Sequence, residues 1–395
     1  MKYNFDEIID RNNTDAIKIE LLPTLFGNKD IQPMWVADMD FRTPDFIFDA
    51  IYERSKHPIL GYTTPPDNFA KTIKNWQYQQ HQWNIEEDWT GFVAGIVPGL
   101  SFAVQIFTEE NDEVIIQPPV YHPFIHVIEK NNRKLIFNPL KIKNGLFEMD
   151  FDDLEKKITK KTKLLILCNP HNPGGKIWDE ESLKRLATIC YDNNIVVISD
   201  EIHGDMALPG YYHTPFAKVS DTASKISITF TAPSKTFNMP GLQSSSYIIP
   251  NPVLRKKFKK FLDRNELIGG NIFAYKATIA AYEKGDNWRK EMLKYVEGNI
   301  EYVIDYINKY IPQIKAMAPQ ASFLIWLDFS ELGIPAENLT SFIVDKAGLA
   351  LNDGRMFGPG GENHMRINVA CPKIKVENAM QKLKKAIDEV LSDKA

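Results

Sequence analysis

The stretch KLLILCNPHNPGGKIWDEESLKRLATICYDNNIVVISDEIH, residues 163–203, contains two apolar runs separated by a helical pattern. KLLILC (163–168) and IVVIS (195–199) are short, continuous and apolar, which is typical of strands buried on both faces. Between them, residues 179–194 place four apolar side chains on one helical stripe, behind Asp179 as a candidate N-cap. The stripe consists of Leu183, Leu186, Ala187 and Cys190. A strand–helix–strand unit of this kind predicts an α/β fold with a mainly parallel sheet.

Similar apolar runs lie on both sides of this unit. Further buried strands are predicted at EVIIQ (113–117), KLIF (134–137), KISITF (225–230) and SYII (246–249). In the C-terminal part the pattern changes, because SFLIWLDF (322–329) and HMRINVA (364–370) suit half-buried strands. KVENAMQKLKKAIDEVL (375–391) follows as an amphipathic helix. We therefore predict a large α/β domain and a smaller α+β domain, with a boundary near residue 280.

Length and composition exclude several classes of protein. The chain has 395 residues, which favours two domains over one core. A net charge of −4 predicts no nucleic-acid partner and no anionic membrane surface, and no apolar run is long enough to span a bilayer. The three cysteines are widely spaced without a CxxC pair, which argues against disulfides and a metal site. With no apolar leader at the N-terminus, we expect a cytoplasmic protein.

Two predicted strands end in residues whose chemistry could serve a cofactor. Lys235 follows the strand 225–230 in TAPSKTF, where desolvation would lower its pKa and favour imine formation; Thr231 and Ser234 could bind a phosphate. Asp200 ends the strand 195–199, where a carboxylate needs a cationic partner such as a protonated pyridine. Taken alone, a surface lysine and a helix-capping aspartate are the commoner explanations, and the nearby His203 is more often structural.

Two more segments lie where strands end. In CNPHNPGG (168–175), Asn172 could donate its amide to a phenolate oxygen, or could equally satisfy its own backbone. In GFVAGIVPGL (91–100), a strand leads into a helix, and the backbone N–H groups of Gly95, Ile96 and Val97 would form an anion site for a phosphate. Ligands of open α/β sheets gather at the carboxyl ends of strands, so these weak signals reinforce one another.

Seven stretches in matching order resemble the fold-type I pyridoxal-phosphate enzymes, the aspartate-aminotransferase superfamily, and within it the MalY/PatB group of carbon–sulfur lyases. They are MWVADMDF (34–41), GYTTPP (61–66), PPVYHPF (118–124), NPHNPGG (169–175), SDEIHGD (199–205), FTAPSKTFNMPGLQ (230–243) and GRMFGPGGENHMRINVACP (354–372). The resemblance implies a seven-stranded, mainly parallel sheet in a large domain of residues 45–280. The small domain would combine residues 1–44 and 281–395.

The resemblance also implies a role for each site residue, with pyridoxal 5′-phosphate as the cofactor. Lys235 would hold it as a Schiff base and act as the base, and Asp200 would pair with the pyridine nitrogen. The remaining cofactor contacts would be Tyr121 on the ring face, Asn172 and His203 on the ring hydroxyl, and Gly95, Ile96, Val97, Thr231 and Ser234 on the phosphate. Arg366 would bind the substrate carboxylate, helped by Asn172, Tyr121 and Ala37, although an exposed strand arginine is the plainer explanation.

The same resemblance implies a homodimer with shared active sites, because Tyr62 would reach the phosphate of the neighbouring subunit. The implied activity is α,β-elimination of L-cystathionine or related cysteine S-conjugates to a thiol, pyruvate and ammonia. An aminotransferase uses the same residues and is the nearest alternative. Gln243 stands where many aminotransferases have a phosphate-binding arginine, which favours the lyase. A lyase with an additional regulatory, protein-binding role is a second alternative.

Overall fold

A computed structural model of the chain describes residues 2–392. The strands are β1 Gln32–Pro33, β2 Thr90–Val93, β3 Glu113–Ile116, β4 Lys134–Phe137, β5 Lys141–Lys143, β6 Leu146–Glu148, β7 Thr162–Cys168, β8 Val196–Asp200, β9 Ser227–Thr231, β10 Ser245–Ile248, β11 Lys315–Met317, β12 Leu324–Asp328, β13 Leu349–Ala350, β14 Asn352–Asp353 and β15 His364–Asn368. The helices are α1 Ile17–Glu20, α2 Leu22–Phe26, α3 Asp45–Ser55, α4 Phe69–His81, α5 Ile96–Phe107, α6 Pro123–Lys130, α7 Phe151–Lys157, α8 Glu180–Asp192, α9 Asp221–Ile226, α10 Pro252–Arg264, α11 Ile272–Lys284, α12 Asp286–Tyr310, α13 Leu339–Asp345 and α14 Lys373–Ser392.

A seven-stranded sheet forms the centre of the fold, in the order β2-β10-β9-β8-β7-β3-β4. Only β10 runs antiparallel to its neighbours, so the predicted mainly parallel α/β architecture is confirmed. Successive side chains of each strand pack on opposite sides. In β7, Leu164 and Ile166 join the core that α5, α6 and α10 cover, whereas Leu165 and Leu167 join the core of α7, α8 and α9. Helices on both faces explain why the strands are apolar throughout.

Local sequence signals explain where several elements begin. The Asp179 carboxylate accepts a hydrogen bond from the Ser182 N–H, which confirms the predicted N-cap of α8. The predicted strand 225–230 was wrong at its start, because Lys225 and Ile226 form the last residues of α9. Ser220 caps that short helix through its side chain, and the apolar pattern alone could not separate helix end from strand start.

A smaller antiparallel sheet lies in the C-terminal part, in the order β11-β12-β15-β14. Both β12 and β15 were expected to be half-buried, and this was wrong, because Arg366 and Asn368 are almost fully buried as well. Their polar side chains face residues 35–38 and Asn172, which are distant in sequence. The predicted amphipathic helix is confirmed as α14, whose Ala379, Leu383 and Ile387 enter the core.

The predicted boundary near residue 280 falls within α11, and the division into two domains stays a prediction. Between residues 2 and 392, none of the helices combines the length and the apolar character needed to cross a bilayer.

Candidate active site

The carboxyl ends of three neighbouring strands bring the predicted residues to one edge of the large sheet. β7, β8 and β9 are parallel, and their register places Cys168 beside Asp200 and Asp200 beside Phe230. The turn after β7 therefore carries Asn172 to the same edge as Asp200, and the loop after β9 carries Lys235 there. This is where open α/β sheets bind ligands.

A cavity of about 280 Å³ lies at this edge. Among the residues singled out from the sequence, its walls include Ala37, Gly95, Ile96, Val97, Tyr121, Asn172, Asp200, His203, Ser234 and Lys235. Its volume is near the small end of the range for sites that bind small molecules. The structure thus brings together ten residues that are spread over 199 positions of the chain, from 37 to 235.

Lys235 and Asp200 line this cavity with perturbed pKa values. Burial and the charge of Arg366 lower the pKa of Lys235 to about 8, so roughly a tenth of the amine is unprotonated at pH 7. The Lys235 Nζ donates a 2.6 Å hydrogen bond to the Ala37 carbonyl. Burial raises the pKa of Asp200 to about 7, and its Oδ1 accepts a 3.1 Å hydrogen bond from the Ile202 N–H. A buried carboxylate of this kind would be stabilised by a cationic ligand.

Arg366 lies behind the cavity wall and is joined to it through Asn172. Its Nη1 donates to the Asn172 Oδ1 at 2.9 Å, and its Nη2 donates to the Asn352 Oδ1 at 2.6 Å and to the Trp35 carbonyl at 3.1 Å. All three acceptors are neutral, and no carboxylate between residues 2 and 392 is within ion-pair distance of this guanidinium. The plainer explanation, an exposed strand arginine, is therefore wrong, since only 3% of Arg366 is exposed.

His203 and Tyr121 complete the walls with a neutral ring each. Burial, with the charges of Lys235 and Arg366, lowers the pKa of His203 to about 3, so the imidazole is uncharged at neutral pH. Its Nδ1 is buried without a hydrogen-bond partner among the described residues. Burial and the nearby Asp200 raise the pKa of Tyr121 to about 12, which keeps its hydroxyl protonated.

The start of α5 forms another wall of the cavity. Gly95 is the N-cap residue with φ 111°, a backbone conformation that favours glycine, and a Cβ there would lie 3.3 Å from the Pro98 Cδ. The first backbone N–H groups of a helix have no intrahelical acceptor. Because Ile96 and Val97 line the cavity, this helix end can serve an anion such as a phosphate.

The structure does not bring Thr231 or Tyr62 to this cavity. Thr231 is buried at the end of β9, and its side chain is hydrogen-bonded to Tyr282. Tyr62 is fully exposed, beside a shallow hollow near Gly269 and Gly270. Thr231 was expected to bind the phosphate of its own subunit, and Tyr62 that of the neighbouring subunit. Both assignments stay predictions.

Sequence reasoning missed several wall residues. They are Ala94, Pro98, Cys168, Ile202, Pro240, Ser244 and Ser245. Gln243, which stands where many aminotransferases have a phosphate-binding arginine, also lines the cavity. The two serines precede or begin β10, the antiparallel strand, whose start lies at the edge where its neighbours end. A search restricted to strand ends passes over such residues. The small polar run QSSS (243–246) was the available signal.

Comparison with known proteins places this geometry in a family. Residues 35–383 match the sequence profile of the family Aminotransferase class I and II. The chain is 44% identical to cystathionine beta-lyase PatB of Bacillus subtilis over 385 residues, which cover 97% of this chain and 100% of that protein.

Two solved structures share the fold and about a third of the sequence. Cystalysin from Treponema denticola, which contains pyridoxal 5′-phosphate, superposes with a TM-score of 0.95 at 35% identity, covering 98% of this chain and 100% of that one. The pyridoxal-phosphate-bound C–S lyase from Staphylococcus hominis gives a TM-score of 0.92 at 36% identity, covering 98% of each chain. The chain therefore belongs to the class I and II aminotransferase family, in its MalY/PatB group.

Proposed function

We propose that this protein is a pyridoxal-phosphate-dependent carbon–sulfur β-lyase. It would cleave L-cystathionine or related cysteine S-conjugates to a thiol, pyruvate and ammonia. The observation that carries the proposal is a single cavity lined by the amine of Lys235 and the buried carboxylate of Asp200. PatB, cystalysin and the staphylococcal lyase support it, through their names and through the cofactor that the two solved structures contain.

The residues present fit this cofactor. Asp200 offers a buried carboxylate for a protonated ring nitrogen, and His203 has a buried ring nitrogen with no hydrogen-bond partner among residues 2–392. The start of α5 and the Ser234 hydroxyl offer donors for a phosphate. The Lys235 amine would attach to the aldehyde carbon. When bound, pyridoxal phosphate supplies an electron sink for the electron pair that remains when the α-proton leaves.

The substrate carboxylate would bind Arg366. A buried guanidinium without an acidic partner has a strong electrostatic preference for an anion. Its Nε has no hydrogen-bond partner within the described part of the chain, so a donor remains available. Because Arg366 already binds the Asn172 oxygen, the Asn172 Nδ2 is the group left to donate to a ligand in the cavity.

Lys235 would remove the α-proton of the bound amino acid. A general base works best when its pKa is near the operating pH, and burial lowers the pKa of Lys235 to about 8. Departure of the thiolate from Cβ would then complete the elimination. Hydrolysis of the released 2-aminoacrylate by water would give pyruvate and ammonia. Tyr121, held protonated by its raised pKa, would contribute a neutral ring to the face of the site.

We further propose a homodimer in the cytoplasm. The fully exposed Tyr62 follows Ile59 and Leu60, which are both 65% exposed, and a second subunit would bury this apolar stretch. Tyr62 would then reach the neighbouring site. Cys168, Cys190 and Cys371 are all free and buried, which suits a reducing compartment.

A substrate panel tests the proposed activity. Purified protein should release pyruvate and a thiol from L-cystathionine, and Lys235→Ala should abolish that release. The matched control is Lys225→Ala, an exposed lysine at the end of α9 that lies outside the cavity. Formation of glutamate from 2-oxoglutarate, with no pyruvate from cystathionine, cysteine or djenkolic acid, would show an aminotransferase instead.

A further inference from the structure

Residues 354–361, GRMFGPGG, form a tight loop shortly before β15, the strand that carries Arg366. A Cβ on Gly354 would collide with the carbonyl oxygen of Gly361, and a Cβ on Gly361 would collide with that of Gly354. The two glycines therefore pack backbone against backbone, which a larger residue at either position would prevent. This close packing fixes the position of the side chains that lie between them.

Phe357, in the middle of this loop, is completely buried. Its carbonyl accepts a 2.9 Å hydrogen bond from the Val120 N–H. Trp326 and His122 pack edge-on against its ring, with centroid distances of 5.2 and 5.9 Å. Burial lowers the pKa of His122 to about 4, so this imidazole is uncharged at neutral pH. Contacts from separate parts of the chain thus hold the ring of Phe357 in one place.

The Arg366 guanidinium lies over the ring of Phe357. Its Cζ is 5.0 Å from the ring centroid, within the distance at which a cation is attracted to the negative face of an aromatic ring. The hydrogen-bond acceptors of Arg366 are neutral, and no carboxylate of residues 2–392 forms an ion pair with it. The face of the Phe357 ring therefore supplies negative potential to a buried cation that lacks an acidic partner.

We infer that Phe357 is a positioning residue for carboxylate recognition, because its ring holds the Arg366 guanidinium in place while the site is empty. This role rests on the proposed function, in which Arg366 binds the α-carboxylate of the substrate. Without the attraction to the ring, the buried cation would be less stable in the position where it meets the carboxylate. Part of the binding free energy would then be used to restore that position, and the substrate would bind more weakly.

Ring fluorination tests this role with little change in the shape of the side chain. Phenylalanine analogues with one, two or three ring fluorines at position 357 would progressively weaken the attraction of the ring for a cation. Glycine is the probe, because it has the α-carboxylate but no leaving group. Titration of the holoenzyme with glycine, followed by the absorbance of the cofactor, should give a dissociation constant that rises stepwise, by about five- to tenfold for three fluorines.

Methylamine, which is glycine without its carboxylate, is the matched control ligand. It should bind equally well to every member of the series, since it makes no contact with Arg366. An unchanged affinity for glycine, or an equal loss of affinity for glycine and methylamine, would overturn the inference. The second outcome would mean that fluorination disturbs the cavity as a whole.

The same analogues at Phe258 provide the matched control position. Phe258 is also completely buried, but it packs against Phe230 and Tyr247 in a different core. Fluorination there should leave the affinity for glycine unchanged. With cystathionine as substrate, fluorination of Phe357 should raise KM and leave kcat unchanged, because the ring does not contact the reacting atoms. A fall in kcat with an unchanged KM would contradict the positioning role.

Thermal unfolding of the cofactor-free chain gives a reading that needs no activity. The difference in unfolding midpoint between the chain with Arg366 and the Arg366→Gln variant should shift downwards with each fluorine at Phe357, since only the former contains the cation. A difference that stays constant along the series would overturn the inference. If the ring with three fluorines prevents folding, the other two members still give the trend. A holoenzyme that binds glycine but releases no pyruvate from any thioether would refute the proposed lyase, while the glycine series would still decide the role of Phe357.

Discussion

Within the described residues 2–392, Asp200 and Arg366 are each buried, and all their hydrogen-bond partners are neutral. Only 3% of either residue is exposed. A charge in such a position weakens the folded state unless a ligand of opposite charge is bound. Both residues therefore contribute to binding at the expense of stability, and each contribution can be measured.

Asp200→Asn should stabilise the cofactor-free protein at high pH. The folded-state pKa of Asp200 is raised from 3.8 to about 7, so the folded state holds this proton more tightly than the unfolded chain does. Stability contributed by the group is present at low pH and is lost as pH rises through 7. The advantage of Asp200→Asn over wild type should grow by about 2 kcal/mol between pH 5 and pH 8 in urea unfolding. If the difference in the free energy of unfolding between Asp200→Asn and wild type did not change with pH, Asp200 would not be a buried carboxylate that titrates in this range.

Arg366→Lys should impair binding of the amino-acid substrate. Lysine keeps the charge but loses the planar fork that reaches Asn172 and Asn352 together. We expect kcat/KM for cystathionine to fall about 100-fold or more, since charge-assisted bidentate bonds are lost. Arg355→Lys, an exposed arginine paired with Asp353, is the control and should leave the kinetics unchanged. Wild-type kinetics in Arg366→Lys would exclude Arg366 as the carboxylate site.

At the scale of elements, the start of α5 combines a strained backbone with an anion-binding role. Gly95→Ala should lower both the free energy of unfolding and the affinity for the phosphate. The reason is that φ 111° is unfavourable for alanine and the new Cβ would press on Pro98. We expect a loss of about 1–3 kcal/mol in the free energy of unfolding and a larger dissociation constant for pyridoxal phosphate. Urea unfolding and a cofactor titration monitored by absorbance would measure the two effects.

Gly298 in α12 is the matched glycine for that experiment. It is exposed, lies within the helix, and has open space around its Cβ position. Gly298→Ala should therefore raise the free energy of unfolding by about 0.5–1 kcal/mol and leave cofactor affinity unchanged. Changes of opposite sign in the free energy of unfolding of the two variants would separate the effect of backbone strain at Gly95 from the effect of helix propensity at Gly298. If both destabilised equally, strain at Gly95 would not be the cause.

At the scale of the whole molecule, a shared active site can be detected by mixing subunits. If Tyr62 serves the neighbouring site, Lys235→Ala and Tyr62→Ala subunits that are individually defective should form heterodimers with one intact site. Co-expression should then recover lyase activity. In the control pair, Lys235→Ala with Asp200→Ala, each subunit's own cavity carries one of the two defects, so neither site is intact and no activity should be recovered. Recovery in neither pair, or a monomer in sedimentation analysis, would contradict the proposed dimer.

Much of this architecture followed from local patterns. Continuous apolar runs identified strands of the large sheet, and the strand–helix–strand alternation required them to be parallel, because a crossover helix returns the chain in the same direction. Parallel strands end at one edge, so Asn172, Asp200 and Lys235 could be assigned to a common site before any contact was known. Side-chain periodicity and chain direction are local properties, which is why the sequence alone determined them.

Tertiary structure decided what depends on packing between distant segments. Arg366 is buried by contacts with residues distant in sequence. It donates hydrogen bonds to Asn172, 194 positions away, and to Trp35, 331 positions away. Ser244 and Ser245 reach the cavity wall because β10 is antiparallel and begins at the edge where its neighbours end. Ala37 binds the Lys235 amine through its backbone carbonyl, a group that every residue has. Burial, backbone acceptors and electrostatic neighbours are properties of the folded chain, because each requires surfaces that no single stretch of sequence contains.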